Sequence, residues 1–189
     1  MGLYQALKQT WRTQGDAMNS ERMIEWRAGR AFTVVDKPLR LDRARALGYK
    51  AKKGFVVVRV RLIRGGRKRE RAGVKGRKSR KQYARKILKM SYRWISEIRA
   101  ERHFPNLQVL NSYPIGEDGK HAFFEVIMVD PHRPEIQSDR TMRWVCEPKN
   151  WGRAQRGITS AAHKSRGLRT KSHTMKVRPS GRSWNRKGK

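Results

Sequence analysis

A strand over Phe55–Ile63 is the element that the pattern of apolar and polar residues predicts most clearly. In this stretch, FVVVRVRLI, the even-numbered residues are all apolar and fall on one face. The opposite face carries Arg59 and Arg61 among its apolar residues. These two arginines suggest either an ordinary solvated face or a face that meets an anionic partner.

Apolar residues at helical spacing predict two helices near the N-terminus, over residues 2–13 and 20–30. Asn19 or Ser20 is the expected N-cap of the second helix, because such side chains accept hydrogen bonds from the free N–H groups of a first helical turn. Residues 31–36 have an extended pattern. Residues 42–47 then predict a short helix before Gly48.

A longer helix is predicted from Arg80 to about Arg102. Ser79, followed three residues later by Gln82, has the capping-box pattern of a helix start, and Pro105 marks the stop. Cations crowd the first two turns, which is unfavourable at the positive end of a helix dipole unless a phosphate binds there. The residues at helical spacing that are expected to face the core are Tyr83, Ile87, Met90, Trp94 and Ile98.

Two further strands, Leu107–Ile115 and His121–Val129, are expected to form a hairpin around a turn at residues 116–119. Pro114 has no N–H to donate to a neighbouring strand, so the first of these strands is expected at a sheet edge. The order of elements is then β-α-β-α-β-β behind two N-terminal helices. This order predicts an α+β fold with a mostly antiparallel, four-stranded sheet.

The C-terminal extension, residues 149–189, contains thirteen Lys or Arg and no Asp or Glu. It has few apolar residues to bury, so alone it should not offset the entropy of ordering its backbone. We therefore expect residues 1–148 to form a single α+β domain and residues 149–189 to order only on a partner. The natural counter-charge for so long a cationic segment is a polyphosphate backbone, such as RNA.

A second concentration of charge lies in the basic loop, residues 64–80, whose sequence RGGRKRERAGVKGRKSR holds nine cations and one acid. A structureless segment of this length inside a compact domain is usually functional. The formal net charge is +32 over 189 residues, and a compact state with that charge repels itself unless a partner neutralises it. The composition thus predicts nucleic-acid binding through the loop and the extension.

Other classes of protein have little support in the sequence. No apolar run is long enough to cross a membrane, and the N-terminal residues lack a secretory signal pattern. Cys146 is the single cysteine, so no intramolecular disulfide or paired-cysteine metal site is expected. The five histidines lack metal-ligand spacing, the glycines near residue 73 do not form a phosphate-binding loop, and Glu117-Asp118 lies in a turn. We expect no enzymatic activity, cofactor, metal or small-molecule substrate.

Motif-sized pieces of the chain, in the same order, resemble one family of ribosomal proteins. They include RARALGYKAKKG at residues 43–54, FPNLQVLNSY at 104–113, RGITSA at 156–161 and KSRGL at 164–168. The sequence resembles the archaeal and eukaryotic type of large-ribosomal-subunit protein fifteen, which is unrelated to the bacterial protein of that number, and it looks closer to the archaeal form.

The resemblance implies a structural constituent of the large ribosomal subunit in the cytoplasm. Its partners would be ribosomal RNA and neighbouring ribosomal proteins, with no membrane and no homo-oligomer. The resemblance implies RNA contact at the residues that match the family's motifs, which are Arg43, Arg45, Tyr49, Lys50, Lys52, Lys53, Lys164, Ser165 and Arg166. Ala162-His163 departs from the family's usual Gly followed by a cation, and Arg169 stands where the family often has Gly.

Charge extends the predicted RNA-binding set to the basic loop, the start of the long helix and the extension. The added cations are Arg64, Arg67, Lys68, Arg69, Arg71, Lys75, Arg77, Lys78, Arg80, Lys81, Arg153, Arg156, Arg169 and Lys171. Trp184 is a candidate for stacking on an unpaired base, whereas Trp144 is expected in the core. Two alternatives remain open at this point: a chromosomal protein that compacts DNA, and an RNA-modifying enzyme with a basic extension.

Overall fold

The computed structural model describes residues 2–13, 16–66 and 88–169. Its helices are α1 (Leu3–Thr13), α2 (Asp16–Ala28), α3 (Leu41–Ala46), α4 (Tyr92–His103), α5 (Pro134–Gln137) and α6 (Ser160–Ser165). Its strands are β1 (Phe32–Val35), β2 (Phe55–Ile63), β3 (Gln108–Glu117) and β4 (His121–Val129). Two short 3-10 turns, Arg143–Cys146 and Pro148–Asn150, follow α5. The predicted α+β fold and the β-α-β-α-β-β order are confirmed.

The four strands form one antiparallel sheet in the order β1-β2-β4-β3. β4 is an inner strand, and eight of its nine residues are buried, because helices cover both faces of the sheet. β3 lies at the edge of the sheet, as Pro114 predicted. Two register shifts, between Val109 and Asn111 and between Pro114 and Gly116, interrupt its pairing with β4. The hairpin turn closes when Asp118 accepts hydrogen bonds from the N–H groups of Lys120 and His121.

Each face of the sheet packs against helices and builds its own apolar cluster. On one face, Val58, Val60 and Leu62 pack with Ala100 of α4, as the alternation along β2 predicted. On the other face, Trp26 of α2 and Ala44 of α3 pack against Phe123 and Ile127 of β4. A third cluster joins the end of β4 to α5 and the first 3-10 turn. The sheet is therefore packed between helices on both faces, in three layers, α–β–α.

The two arginines of β2 lie beneath α2 and face neither open solvent nor a free surface. The Arg59 guanidinium lies 5.2 Å from the centre of the Trp26 ring. Arg61 donates to the backbone carbonyls of Trp26 and Arg27 at the C-terminal end of α2. A cation suits this position because the last carbonyls of a helix carry partial negative charge. The arginines thus fix α2 to the sheet.

Two predicted helix starts differ from the structure. α2 begins at Asp16, so Asn19 and Ser20 lie within the helix. Residues 88–91 are not helical, because Lys89 has a positive φ of 55° and Ser91 caps α4 by accepting from the Trp94 N–H. The expected cap at Ser79 lies outside the described residues. A single helix from Arg80 to Arg102 is therefore wrong.

The buried face of α4 also differs from the prediction. Its fully buried residues are Ser96, Glu97, Ala100 and Glu101, whereas Trp94 and Ile98 are only half-buried. Apolar periodicity could not identify this face, because two of the buried side chains are carboxylates.

The first part of the C-terminal extension packs against the domain. Residues 149–169, which we call the docked segment, lie against α4 and β3, and Ala154 and Ala162 are completely buried. Residues 170–189 of the extension lie outside the described residues. Among the helices of the described ranges, none is long and apolar enough to span a bilayer.

We predict that Gly54→Ala destabilises the fold more than Gly65→Ala. Both glycines have positive φ, which costs other residues about 1–2 kcal/mol. A Cβ at Gly54 would lie 2.6 Å from Ile136 Cγ1, whereas at Gly65 it meets nothing within 4 Å. The clash should add about 1–3 kcal/mol at Gly54 alone. Urea unfolding of both variants measures the difference; equal losses would contradict tight packing between Gly54 and α5.

Candidate nucleic-acid interface

The predicted RNA-binding residues fall into three groups in the structure. Those exposed on the described surface are Arg43, Arg45, Lys53, Arg64, Arg156, Lys164 and Arg169. Those half-buried are Tyr49, Lys50, Lys52, Arg153, Ser165 and Arg166. Those outside the described residues are Arg67, Lys68, Arg69, Arg71, Lys75, Arg77, Lys78, Arg80, Lys81, Lys171 and Trp184.

Two lysines of the turn between α3 and β2 are held by an acid of the same chain. Lys50 Nζ and Lys52 Nζ lie 2.7 and 2.5 Å from the same oxygen of Asp139. These lysines and Thr141 hold the pKa of Asp139 far below its usual range. Lys52 also donates to the Glu135 carbonyl at 2.9 Å. Both side chains therefore tie the turn to the α5 region.

The rest of this turn divides between packing and exposure. The ring of Tyr49 packs edge-on against Phe55, with 5.9 Å between ring centres. Lys53 is exposed and has no acid partner among the described residues. Of the family-motif residues here, Lys53 is thus better placed than Lys50, Lys52 or Tyr49 to meet a phosphate.

The segment before α3 is positioned by a buried carboxylate on β4. Glu125 is 1% exposed and accepts hydrogen bonds from the Tyr113 hydroxyl and from the Leu39 N–H, the latter at 3.1 Å. Burial raises the pKa of Glu125, and these hydrogen bonds with nearby Arg59 oppose the rise. Because Leu39 lies just before α3, this contact determines where Arg43 and Arg45 emerge.

One line of residues on α4 and its cap contacts the docked segment. Trp94 Nε1 donates to the Ala154 carbonyl at 2.8 Å. Glu101 accepts from the N–H groups of Ala154 and Gln155, at 3.3 and 3.0 Å. At the N-terminal end of α4, Ser165 Oγ donates to Ser91 Oγ at 2.8 Å. The contacts follow the three- and four-residue spacing of a helix face.

Glu97 is the centre of this line and is completely buried. Its two oxygens accept hydrogen bonds from the hydroxyls of Ser112 on β3 and Thr159 in the docked segment. Arg93 lies beside this group and donates to Ser112 Oγ at 2.9 Å. Burial raises the pKa of Glu97, and the two hydroxyls and Arg93 oppose the rise. Thr159 also caps α6, since its hydroxyl accepts from the Ala162 N–H.

Several cations of the docked segment serve its own packing. Arg153 donates to the Val109 carbonyl at 3.1 Å and stacks over the Trp144 ring at 4.6 Å. Arg166 donates to the Gly157 carbonyl at 2.7 Å. Burial lowers the pKa of Arg153, while Glu97 and Glu101 oppose that change. Arg153 and Arg166 therefore have internal roles that their charge alone did not reveal.

The departure from the family pattern at Ala162 has a structural reason. Ala162 lies in α6 with a fully buried side chain. Within a helix Ala is favoured over Gly by about 0.5–1 kcal/mol, because Gly loses more backbone freedom. At Arg169 the side chain is exposed and donates to Ser160 Oγ.

Acids are scarce in this chain, and the described ones mostly face partners within it. Nine acidic side chains accept hydrogen bonds or form ion pairs: Glu25, Asp42, Glu97, Glu101, Asp118, Glu125, Asp130, Asp139 and Glu147. The chain has 47 Lys and Arg against 15 Asp and Glu, so cations outnumber acids about threefold. The outer surface is therefore strongly positive, as a phosphate-binding surface requires.

The sequence reasoning missed one group of cations. Lys8 and Arg12 of α1, with Arg40, lie in an open groove that also contains Arg43 and Arg45 of α3. The four-residue spacing of Tyr4, Lys8 and Arg12 was available as a signal, since it places them on one helix face.

In the described ranges, no group of three or more His, Cys, Asp or Glu is arranged to hold a metal ion.

The α+β core and the cationic surface define a class of basic proteins suited to nucleic-acid binding. The chain belongs to the family whose model is described as Ribosomal L15, which matches residues 2–184. The resemblance found in the sequence motifs is thereby confirmed.

Three archaeal relatives, each named "Large ribosomal subunit protein eL15", illustrate the similarity. The protein of Methanocella arvoryzae is 48% identical over 171 residues, which cover 89% of this chain and 87% of the relative. The protein of Methanospirillum hungatei is 46% identical over 187 residues, covering 96% and 95% of the two chains. The protein of Thermoplasma volcanium is 46% identical over 186 residues, covering 96% and 94%.

We predict that Thr159→Val destabilises the protein by about 2–4 kcal/mol. The change keeps the shape but removes a hydrogen bond to the buried Glu97 and the cap of α6. Thr10→Val is the control, because that exposed hydroxyl bonds only within α1, and it should change stability by about 0.5 kcal/mol or less. Urea unfolding measures both; similar small losses would show that the docked segment contributes little to the fold.

A second prediction concerns the pH dependence of stability. The pKa of Glu97 is higher in the folded protein than the value of about 4.3 expected on unfolding, so the folded state binds this proton more tightly. The stability from that proton is fully present below about pH 4.3 and is lost as the pH rises through the raised pKa.

Glu97→Gln removes this titration. The free energy of unfolding of the variant, relative to the original protein, should therefore rise from about pH 4 upward and level off above the raised pKa. Urea midpoints across this range measure the difference, in which all shared titrations cancel. Glu21→Gln, at an exposed position, controls for the loss of one negative charge. A difference that stays constant with pH would contradict the raised pKa.

Proposed function

We propose that this protein is a structural constituent of the large ribosomal subunit that binds and stabilises folded ribosomal RNA. The observation that carries the proposal is the separation of charge: the buried acids Glu97, Glu101 and Glu125 are hydrogen-bonded within the fold, while exposed cations such as Lys53 and Lys164 lack an acid partner among the described residues. Lys supplies point charge to phosphates, and Arg adds bidentate contacts. The names of the three relatives agree with this role.

The arrangement around the start of α4 supports binding of one RNA region by both the basic loop and the extension. The basic loop leaves the sheet after β2, where the Gly65 N–H donates to the Tyr92 hydroxyl at 2.7 Å. The chain returns at Ser91, whose N–H donates to Ser165 Oγ at 3.1 Å. Ser165 lies only a few residues before the part of the extension beyond the described residues. Gly65, near the start of the basic loop, therefore lies close to the start of α4 and to Ser165 at the end of the docked segment.

Two cationic segments that leave the same place act at high effective concentration on one RNA region. Once one segment binds, the other meets its phosphates as an intramolecular partner, which increases the overall affinity. We propose that residues 170–189 obtain their contacts from ribosomal RNA in this way. Neighbouring ribosomal proteins are further partners in this proposal, and a second copy of the chain is not.

We predict a strong salt dependence of RNA binding. If about six to ten phosphates are neutralised, affinity for large-subunit ribosomal RNA should fall roughly 10³- to 10⁵-fold between 50 and 200 mM salt, because bound counterions are released. The apparent dissociation constant across this range checks the prediction. A flat salt dependence would contradict electrostatic binding.

Two matched double variants test which cations take part. Lys53→Ala with Lys164→Ala should lower the slope of log affinity against log salt by about two. Lys50→Ala with Lys52→Ala removes the same charge, but it should change the slope less and lower stability more, because both lysines are held by Asp139. Equal slope changes in the two variants would contradict the internal role of Lys50 and Lys52.

A further inference from the structure

An open groove of about 720 Å³ lies between α1 and α3. We call it the α1–α3 groove. It is lined by Tyr4, Lys8, Arg12, Arg40, Arg43 and Arg45, together with Asp42, Ala46 and Pro114. It lies on the surface of the folded domain and is lined by residues of α1, of β3 and of the segment around α3.

The net positive charge of the groove favours a ligand with more than one negative charge. Five of its lining residues are cations, and Asp42 is the one acid among them. Asp42 is 6% exposed and lies 3.5 Å from Arg40, so it offsets at most one of the five charges. Lys8, Arg12 and Arg43 are exposed and repel one another until a ligand neutralises them.

The walls of the groove suit a flat apolar group as well as an anion. Tyr4 is 42% exposed, and its hydroxyl accepts a hydrogen bond from Arg45 Nη1 at 2.8 Å, which fixes the side chain at the groove. Ala46 and Pro114 add further apolar surface. An aromatic side chain among cations is the usual combination for holding an unstacked base with its phosphates.

The size of the groove favours an unpaired nucleotide over a duplex as its ligand. Its volume lies within the range of sites that enclose a drug-sized ligand, which is the size of one or two nucleotides. In a duplex the bases are stacked and paired, so they do not reach such a groove unless one is turned out. A duplex would place phosphates on the cations and leave Tyr4 without a partner.

We propose that the α1–α3 groove binds a single unpaired nucleotide of RNA, with Tyr4 against the base and Lys8, Arg12 and Arg43 on its flanking phosphates. The proposal rests on the proposed function and deepens it by naming the form of RNA recognised there. An acidic peptide would satisfy the cations but offers no base to Tyr4, so RNA is the better match.

The test compares the full chain's affinity for two RNA duplexes that differ only in one bulged nucleotide. The bulged duplex should bind about tenfold tighter or better, as expected from stacking one base on an aromatic ring. Tyr4→Ala should bring the ratio of the two affinities close to one, and Tyr4→Phe, which keeps the ring, should preserve it. Loss of the preference in both Tyr4 variants would overturn the stacking role.

Charge in the groove is tested by a matched pair of double variants. Lys8→Ala with Arg12→Ala should weaken binding of the bulged duplex more than that of the paired one. Arg99→Ala with Arg102→Ala removes two exposed cations from α4, outside the groove, and should affect both duplexes equally. Circular dichroism checks that all variants remain folded.

The outcomes separate this proposal from the proposed function. If the original protein binds both duplexes equally well and the Tyr4 and Lys8/Arg12 variants keep that ratio, RNA binding stands and the groove proposal fails. If it binds neither duplex at moderate salt, the proposed function itself fails. Tighter binding of a poly-glutamate peptide than of the bulged RNA, lost with Lys8→Ala and Arg12→Ala, would assign the groove to a protein partner and overturn the proposal.

Discussion

The contact between α4 and the docked segment is the interaction on which the rest of this structure depends. Glu97 and Glu101 lie one helical turn apart, both buried, and together they accept hydrogen bonds from a threonine hydroxyl and two backbone N–H groups of residues 154–159. Burying a carboxylate is costly unless its oxygens are hydrogen-bonded. Here the sheet and the docked segment supply those donors, so the segment completes the core around α4.

This contact also determines where the basic segments leave the domain. With residues 154–159 fixed along α4, the chain turns through α6 and brings Ser165 to Ser91. Tyr92, the next residue, is hydrogen-bonded to Gly65 near the start of the basic loop. A buried acidic pair thus helps to bring the start of the basic loop, at Gly65, close to the end of the docked segment, at Ser165.

Elsewhere in the fold, other acids also fix the position of stretches of chain that carry exposed cations. Asp139 holds Lys50 and Lys52, and Glu125 holds the segment before α3. Each of these acids fixes a stretch of chain that carries further cations, such as Lys53 or Arg43, on the outer surface. Because several of the few acids are paired internally, most of the exposed charge in the described part of the chain is positive. The cations that stabilise the fold are therefore different residues from those that remain exposed.

The sequence by itself determined the α+β class, the order of strands and helices along the chain up to β4, the edge position of β3 and the family. These follow from local signals: alternation along β2, Pro114 in β3, turn residues and motif spacing. Charge counting also indicated a polyanionic partner, since composition is independent of conformation. Charge counting could not show which cations remain exposed, because Lys50, Arg153 and Arg166 look no different in sequence from Lys53 or Lys164.

Only the tertiary structure decided those roles, because they depend on residues far apart in the chain. Arg61 meets α2 and Lys50 meets Asp139 through contacts that no local pattern encodes. The buried face of α4 escaped prediction because its partners are polar, and a carboxylate is stable inside a core only where donors from distant segments converge on it. That convergence exists only in the folded chain.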